Sequence, residues 1–338
     1  TSVVGTTTQN GVAHDTYYVY DNFGNLSYVL PPKAEANTDK PTTNELNELC
    51  YQYKYDYRKR LVEKRVPGRD DWDYIVYDKL DRPVLMQGPN LRNTQDWSFT
   101  KYDKLGRVAY TGIFHNGRTR LTMQPLFEDD LPANMYEERM NSQVPLGGIN
   151  TKYTNNAYPT DSYNITVHTV NYYDDYNFDL AGIGTTVTSY GVTSTSNTKG
   201  LATGSKTRVL GTTNWITNVS FYDEKARPIY SYAKNDYLGT TDIVQTKLDF
   251  VGKAEETTST HTNANDPLPT QTVRDVFTYD HAARLKTHIQ YLNGSGTGEV
   301  IASNTYDELG QLITKGVGGK TYQSRLQTVN FKYNVRGW

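Results

Sequence analysis

The stretch Tyr102-Asp103-Lys104-Leu105-Gly106-Arg107-Val108 is the fullest version of a pattern that recurs along this chain of 338 residues. The pattern is a Tyr-Asp pair, two variable residues, a Gly, a basic residue and an apolar residue. Eight of the 29 tyrosines are followed directly by Asp, whereas random pairing would give about two such pairs. The pattern is therefore an internal repeat, and it dominates the interpretation of the sequence.

Eight copies of the repeat are clear, and in one of them Leu248 replaces Tyr. Their residues at the Tyr, Asp and Gly positions are Tyr20, Asp21 and Gly24; Tyr55 and Asp56; Tyr77 and Asp78; Tyr102, Asp103 and Gly106; Tyr222 and Asp223; Asp249 and Gly252; Tyr279 and Asp280; and Tyr306, Asp307 and Gly310. Weaker copies begin at Tyr173 and Tyr333. Most spacings are 22 to 35 residues, which suits one hairpin and its connection, whereas spacings of 71 and 49 residues indicate insertions.

The residue types of the repeat predict a tight turn at each copy. A type I turn favours Asp at its first position and Gly at its fourth, and the Asp carboxylate can accept hydrogen bonds from backbone N–H groups two residues on. The Gly supplies a left-handed conformation without a clash at Cβ. Four copies have another residue at the Gly position, namely Lys59, Asp81, Ala226 and Ala283. We expect these four turns to be strained or of another type.

The residue after the Gly position is basic in most copies, with Lys253 in the Leu248 copy. The arginines at this position are Arg60, Arg82, Arg107, Arg227 and Arg284. One interpretation is a structural charge ladder, mostly exposed, in which each Arg pairs with an Asp of the adjacent hairpin. The other is a ligand surface, in which rows of Tyr and Arg bind an anionic glycan. The sequence favours the ladder.

The segments before the turns alternate with a period of two residues, which is typical of half-buried strands. Tyr51, Tyr53 and Tyr55 lie on one face of such a strand, as do Val329, Phe331 and Tyr333. The apolar fraction of the chain is low, and tyrosine supplies much of it. Because tyrosine combines an apolar ring with a hydroxyl, this composition favours a sheet with two partly wet faces over a thick dry core. A wall, a solenoid or a hollow barrel would suit it.

The totals argue against several classes of protein. The net charge of −2 lacks the basic excess of a nucleic-acid-binding domain, and no apolar run is long enough to span a membrane. The six histidines have no metal-ligand spacing, and no glycine-rich stretch has the partners of a phosphate site. The acidic clusters Asp70-Asp71-Asp73 and Asp174-Asp175-Asp179 are interpreted as solvated loops in preference to weak cation sites. The sequence thus predicts no catalytic residue, no metal site, no cofactor and no enzyme activity.

The repeat resembles the YD motif of the Rhs/YD-repeat proteins, which include bacterial Rhs effectors, shell components of insecticidal toxin complexes and animal teneurins. The resemblance covers about residues 15–338, and eight ordered copies are far more specific than one Tyr-Asp pair. The end of the chain, Tyr333-Asn334-Val335-Arg336-Gly337-Trp338, is similar to the approach to the Rhs core region. The resemblance implies a mainly β fold of consecutive antiparallel hairpins in a curved or spiralling sheet, part of a hollow shell. Nothing in this chain matches the self-cleaving protease segment of the family.

We expect three regions and a chain that is a piece of a longer polypeptide. Residues 15–112 carry repeats with a loop insertion at 31–49, residues 113–165 form an insertion with a short helix at 130–140, and residues 166–338 carry further repeats. Within the last region, the Thr-rich residues 183–213 are expected to form strands, and residues 255–272 a loop. Residues 1–14 are expected to be a strand remnant or a disordered edge.

The expected function is non-catalytic. The resemblance implies a secreted or surface-exposed bacterial β-shell wall that encloses a C-terminal cargo, often a toxin, with the rest of its own polypeptide as its main partner. The alternative is a cell-surface adhesin or glycan-binding scaffold, whose partners would be surface glycans or secretion machinery. A variable toxin-like segment after the repeats would favour the wall, and a sorting domain there would favour the adhesin.

Overall fold

The computed structural model describes residues 2–3, 8–9, 12–13, 15–35, 40–130, 134–266, 270–334 and 336–337. The chain divides into two compact units, Thr1–Thr169 and Val170–Trp338. Both are built mainly from antiparallel strands joined in sequence order. The prediction of a mainly β chain of consecutive antiparallel hairpins is therefore confirmed.

The first unit contains thirteen strands and three α-helices among its described residues, and a fourteenth strand continues into the second unit. The strands are β1 (Ser2–Val3), β2 (Thr8–Gln9), β3 (Val12–Ala13), β4 (Tyr17–Tyr20), β5 (Leu26–Leu30), β6 (Tyr51–Tyr55), β7 (Leu61–Arg65), β8 (Asp73–Tyr77), β9 (Pro83–Gln87), β10 (Asp96–Tyr102), β11 (Val108–His115), β12 (Arg139–Leu146), β13 (Ile149–Tyr153) and β14 (Ile165–Asp174). The helices are α1 (Thr43–Leu49), α2 (Pro89–Asn93) and α3 (Arg120–Pro125), with a 3-10 turn at Pro32–Glu35 and a π-helical turn at Leu126–Asp130. Strands β4 to β11 pair consecutively as an antiparallel meander.

The second unit repeats the same plan with longer strands. They are β15 (Thr188–Ser189), β16 (Val192–Thr193), β17 (Thr198–Arg208), β18 (Trp215–Tyr222), β19 (Pro228–Asn235), β20 (Thr240–Leu248), β21 (Ala254–Asn263), β22 (Thr270–Tyr279), β23 (Leu285–Leu292), β24 (Glu299–Tyr306), β25 (Leu312–Val317) and β26 (Gln327–Asn330). Strands β17 to β26 pair consecutively and antiparallel. Because the strands pair consecutively, each hairpin forms hydrogen bonds with the edge backbone groups of the hairpin before it.

A β-bulge recurs at the repeat in every clear copy. The residue at the Tyr position pairs with the residue that follows the basic position, for example Tyr55 with Leu61 and Tyr102 with Val108, and the register shifts immediately before it. The same shift occurs at Tyr20, Tyr77, Tyr222, Leu248, Tyr279 and Tyr306. A bulge of this kind increases the local twist of the hairpin. The repeat thus encodes a fixed bend as well as a turn.

Burial differs along the second unit. In β18 the side chains of Trp215, Val219 and Phe221 alternate with more exposed ones, so that one face of the strand is buried. From β20 to β23, by contrast, the described residues between Tyr232 and Val300 include no buried apolar side chain. The described part of this sheet therefore has two partly exposed faces, as its Tyr- and Thr-rich composition indicates, and the β15–β16 hairpin contacts it at Thr246 and Thr258.

One predicted helix and one predicted loop differ from the structure. The helix expected at 130–140 is wrong, because residues 134–138 are irregular and β12 begins at Arg139, while residues 131–133 lie outside the described residues. The helix of this insertion is α3, in which the side chain of Thr119 accepts a hydrogen bond from the N–H of Thr122 as the N-cap.

The loop expected at 255–272 is also wrong, because β21 and β22 occupy most of it and pair over seven residue positions. β21 is rich in Thr and Ser, which agrees with the strand propensity of threonine. Pro267–Pro269 lies outside the described residues. The Thr-rich residues 183–213 do contain strands, namely β15, β16 and β17.

Candidate functional site

The Asp of each clear copy occupies the first position of a closed turn. In the Tyr102 copy, the N–H of Gly106 donates to the Asp103 carbonyl at 3.0 Å, and the N–H of Asp103 donates to the Arg107 carbonyl at 2.8 Å. The Asp103 Oδ1 atom accepts from the N–H groups of Leu105 and Arg107, both at 2.9 Å. The other copies close in the same way. One carboxylate oxygen therefore satisfies two turn N–H groups that would otherwise need water.

The fourth turn position has a positive φ in every clear copy, whether or not it is glycine. The φ values of Gly24, Gly106, Gly252 and Gly310 lie between 78° and 96°, and those of Lys59, Asp81, Ala226 and Ala283 between 60° and 64°. The four non-glycine turns were expected to be either strained or of another type. They keep the same turn type, so the residue at the fourth position is strained. A left-handed conformation costs an ordinary L-residue about 1–2 kcal/mol, so the rest of the repeat must hold these four turns in place.

The five arginines lie in ion pairs with the Asp of their own turn. The Arg Nε atoms of Arg60, Arg107 and Arg284 each lie 2.6 Å from an Asp Oδ2 atom, and Arg82 and Arg227 make the same contact. We expected each Arg to pair with an Asp of the adjacent hairpin. Arg60 does so, since it also contacts Asp81 at 2.9 Å. The partner that all five arginines have in common, however, is the Asp four residues earlier in their own turn.

The predicted exposure of this ladder is wrong. The five arginine side chains are only 7% to 27% exposed. Four of them also contact the next hairpin, namely Arg60, Arg82, Arg227 and Arg284. Arg60 is further covered by Glu128 of the π-helical turn, which it contacts at 2.7 Å. Ion pairs that are partly buried and geometrically fixed contribute more than the exposed pairs that the sequence suggested.

The carboxylates of Asp223 and Asp280, two of these turn residues, have lowered pKa values. At Asp223, burial acts to raise the pKa, but hydrogen bonds from the Arg227 side chain and from the turn N–H groups outweigh it and lower the pKa below its usual range. Asp280 is lowered through the same balance with Arg284. Both turns are therefore built around an ionised Asp.

In six copies of the repeat, including the weaker copy at Tyr333, the tyrosine hydroxyl reaches back to the preceding hairpin. Tyr102 donates to the carbonyl of Pro83 at 2.7 Å, and Tyr77 donates to that of Leu61 at 2.7 Å. In each case the acceptor is the residue after the basic position of the preceding turn. The same bond is made by Tyr55, Tyr279, Tyr306 and Tyr333, to Leu26, Ala254, Leu285 and Leu312 respectively. Phenylalanine could not make this bond, which accounts for the use of tyrosine.

The basic side chain of one repeat lies over the tyrosine ring of the next. The guanidinium carbon of Arg82 is 4.5 Å from the ring centroid of Tyr102, and that of Arg284 is 4.4 Å from Tyr306. Arg60 over Tyr77 and Lys253 over Tyr279 repeat the arrangement at 5.0 and 4.5 Å. Each such tyrosine therefore receives a cation–π contact and donates a hydrogen bond to the same neighbouring hairpin. We call this unit of Asp turn, basic side chain and next tyrosine the interlock.

Of the two weaker copies, the one at Tyr333 forms the turn and the one at Tyr173 does not. At Tyr333 the turn forms with Asn334 in place of Asp, since the N–H of Gly337 donates to the Asn334 carbonyl at 2.9 Å and that of Arg336 to its side chain at 3.0 Å. At Tyr173 the chain does not form this turn. Instead Asp174 ends β14 with a positive φ, and its side chain accepts from the N–H of Gly200 at 2.7 Å.

A buried polar cluster in the first unit could not be found from the sequence. Lys101 and Glu137 form an ion pair at 3.2 Å with both side chains fully buried. Glu137 also accepts hydrogen bonds from the N–H groups of Asn156 and Ala157 and from the Thr154 hydroxyl. Burial lowers the pKa of Lys101 to about 8 against the opposing effect of Glu137. The pair connects β10 to the insertion, and no spacing rule links two residues 36 positions apart.

Three carboxylates of the acidic clusters pair with cationic side chains. Asp73 pairs with Arg69 at 2.9 Å, Asp71 lies 3.6 Å from Arg92, and Asp179 pairs with Lys206 at 2.7 Å. Within the described ranges, no group of three or more His, Cys, Asp or Glu side chains is arranged to hold a metal ion. Nor does any helix of the described residues have the length and apolar character needed to cross a membrane.

Comparison with known families and curated proteins gave no match. Among solved structures, the chain is similar to a TcdB2-TccC3 crystal structure, with 14% identity and a TM-score of 0.34 over 97% of this chain and 16% of that one. A TcdB2-TccC3-TEV crystal structure gives 15% identity and a TM-score of 0.27 over 98% and 19% of the two chains. The structure of the Photorhabdus luminescens Tc holotoxin pore, with a mutation in TccC3, gives 11% identity and a TM-score of 0.23 over 96% of this chain and 21% of that one. The chain thus spans about a fifth or less of the length of these structures.

Proposed function

We propose that this chain is a non-catalytic wall segment of an Rhs/YD-repeat shell, which encloses a cargo carried elsewhere on the same polypeptide. The observation that carries the proposal is the interlock, which recurs with the same contacts at four hairpin junctions, those of Tyr77, Tyr102, Tyr279 and Tyr306. Its residues are those that define the repeat, so the sequence motif is accounted for by joining hairpins.

The physical properties of the sheet support a wall. A hairpin alone is marginally stable in water, and the described residues from β20 to β23 include no buried apolar side chain. Stability in that stretch must come from neighbour-to-neighbour contacts, as in other repeat proteins. An extended sheet held in this way can separate two aqueous spaces without a thick core.

The recurrent bulge supports a sheet that bends in one sense. Each copy inserts its extra residue at the same place relative to the turn. Because a bulge adds twist locally, repetition at equivalent positions adds twist with a constant sign. We propose a curved sheet on this basis, with the further repeats needed for closure supplied by the rest of the polypeptide. Export to the cell surface or the medium is part of the same proposal.

A protease-protection experiment tests the enclosure. The full-length polypeptide would be treated with proteinase K under native conditions, and the segment that follows the repeats would be detected with a C-terminal epitope. We expect that segment to survive while exposed loops of the wall are cut, and to be degraded once the wall is unfolded with urea. Degradation of the segment at the same rate in the native and unfolded protein would refute the enclosure.

A further inference from the structure

An amine, a carboxylate and a carboxamide meet in the buried polar cluster of the first unit. The Nζ atom of Lys101, on β10, lies 3.2 Å from the Oε1 atom of Glu137 and donates a hydrogen bond to the Oδ1 atom of Asn155. Lys101 and Asn155 are 54 positions apart in the sequence, and the fold of the insertion brings them into contact. An amine held against a carboxamide has the two partners of an amide exchange in place, because proximity replaces a bimolecular encounter.

The Lys101 side chain is placed as a nucleophile. It has no exposed surface, and its Nζ atom lies 5.1 Å from the ring centroid of Tyr110, which packs in turn against Phe99 and Tyr153. Burial lowers the pKa of Lys101 to about 8 against the opposing effect of Glu137. A much larger share of this amine is therefore neutral near pH 7 than of an exposed lysine. The neutral amine of a desolvated lysine is the form that attacks carbonyl carbons.

The carboxamide of Asn155 is held as the group that is attacked. Its Nδ2 atom donates to the Thr160 carbonyl at 2.8 Å, which fixes the carboxamide with its Oδ1 atom on Lys101. The Tyr110 hydroxyl donates to the same Oδ1 atom at 3.4 Å. Burial raises the pKa of Tyr110 well above its usual value, so this hydroxyl stays protonated. It can therefore stabilise the negative charge that develops on Oδ1 during an attack on Cγ.

Glu137 is placed to carry protons between the two nitrogens. Its carboxylate is fully buried and is fixed by hydrogen bonds from the N–H groups of Asn156 and Ala157 and from the Thr154 hydroxyl. Its Oε1 atom is within reach of the Lys101 ammonium for a proton transfer. The three groups of the cluster thus supply a nucleophile, an acyl group and a general base.

We propose that Lys101 and Asn155 react to form an amide cross-link between Nζ and Cγ, with Glu137 as the general base and acid. The ion pair of Lys101 and Glu137 is the arrangement before the reaction. Lys101 gives one proton to Glu137, and the neutral Nζ forms a bond to Cγ. Glu137 donates this proton to Nδ2 and takes the second proton of Nζ, while the Cγ–Nδ2 bond breaks and ammonia leaves. Ammonia removes the last proton from Glu137 as ammonium, and the exchange of one amide for another consumes no oxidant or reductant.

The cross-link fixes the insertion to the sheet. It joins β10 to the segment that follows β13, across 54 positions of the chain. Lys101 directly precedes Tyr102 of the interlock, so the bond anchors the insertion to a hairpin that is itself joined to its neighbour. Closing a long loop covalently restricts the unfolded chain and so favours the folded one. The inference is independent of the wall function, since a wall can exist with or without this bond.

The mass of the full-length polypeptide, measured after denaturation, tests the proposal, because hydrogen bonds and ion pairs do not survive denaturation. We expect most molecules to be lighter than their sequence by one ammonia. Trypsin should fail to cleave after Lys101, and the digest should contain residues 93–104 joined to residues 153–199. Separate peptides cleaved after Lys101 would overturn the proposal. A mass deficit without the joined peptides would overturn it too, since Asn-Gly pairs can also release ammonia by ring closure.

Two variants assign the roles within the cluster. Asn155→Ala removes the carboxamide and Glu137→Gln removes the general base, so both should keep the full mass and be cleaved after position 101. Lys104→Gln is the matched control, which removes an exposed lysine of the same hairpin and should keep the mass deficit. Circular dichroism checks that the variants fold, and the joined peptides of the wild-type protein carry the test if they do not. A blocked cleavage after Lys101 that persists in Asn155→Ala, or an unchanged cross-link in Glu137→Gln, would contradict the assignment.

Discussion

The hydroxyl of Tyr102 donates a hydrogen bond of 2.7 Å to the carbonyl oxygen of Pro83, on the hairpin before its own. The same ring lies under the guanidinium of Arg82, the residue adjacent to Pro83. Tyr102 therefore contacts two consecutive residues of the preceding hairpin, Arg82 and Pro83. The residues of the repeat join successive hairpins. The contribution of each side-chain group to stability can be tested by a single substitution.

Tyr102→Phe tests the hydroxyl alone, because the ring and its contact with Arg82 are retained. We expect the free energy of unfolding to fall by about 0.5–1.5 kcal/mol, the usual net value of one hydrogen bond. Urea unfolding measures this. Tyr163→Phe is the matched control, since Tyr163 is 97% exposed, and it should change stability by less than about 0.5 kcal/mol. Equal effects of the two changes would contradict the interlock.

Ala226→Gly and Ala283→Gly test the strain of the non-glycine turns. Glycine adopts a positive φ without the clash at Cβ, so each change should stabilise the protein by about 0.5–1 kcal/mol after the entropic cost of glycine is subtracted. Thermal or urea unfolding provides the measurement. Ala282→Gly, one position earlier and without a positive φ, should be neutral or destabilising. A loss of stability in the first two variants would mean that these turns are not strained.

Asp223→Asn tests the charge at the centre of a turn. Asn retains the acceptor for the turn N–H groups but loses the ion pair with Arg227, so we expect about 1.5–3 kcal/mol of destabilisation at neutral pH. The ionised Asp stabilises the fold because its pKa is lower in the folded than in the unfolded protein.

The pH dependence follows from the same lowered pKa. The contribution of Asp223 is fully present above the unfolded pKa of about 4 and is lost as the pH falls through the lower folded value. Urea unfolding between pH 2 and pH 7 should therefore show the wild-type protein losing more stability on acidification than Asp223→Asn. Parallel pH profiles for the two proteins would contradict this assignment.

Lys101→Met tests the buried pair in the first unit. It leaves the Glu137 carboxylate buried without its cation, and we expect a loss of about 3–5 kcal/mol. Adding Glu137→Gln removes the uncompensated charge, so the double variant should lose less than the sum of the two single variants. Urea unfolding of all four proteins gives the coupling energy. Strict additivity would show that Lys101 and Glu137 do not stabilise one another.

The sequence predicted the hairpins because the information for them is local. Asp103 and Gly106 are three residues apart and specify the turn by themselves, and alternation before each turn specifies the strand. The positive φ of Ala226 and Ala283 followed from the register of the motif, although the sequence could not decide between strain and another turn type. The structure resolves this in favour of strain.

The contacts between hairpins could not be predicted in the same way. The partner of the Tyr102 hydroxyl is a backbone carbonyl, which leaves no signature in residue type, and the pairing of Lys101 with Glu137 depends on how the insertion folds over β10. The exposure of the arginines was mistaken because their packing depends on the next hairpin. The helix was misplaced to 130–140 because helix formers such as Glu138 and Met140 were read without the tertiary pairing that draws this segment into β12.

A cryo-EM map of the full-length polypeptide is the most direct test of the proposed wall. The account predicts that the hairpins described here continue into a closed β-shell, with density for polypeptide, ordered or blurred, inside it. A sheet that stays open, or a closed shell that is empty in the intact protein, would contradict the account and favour a surface scaffold.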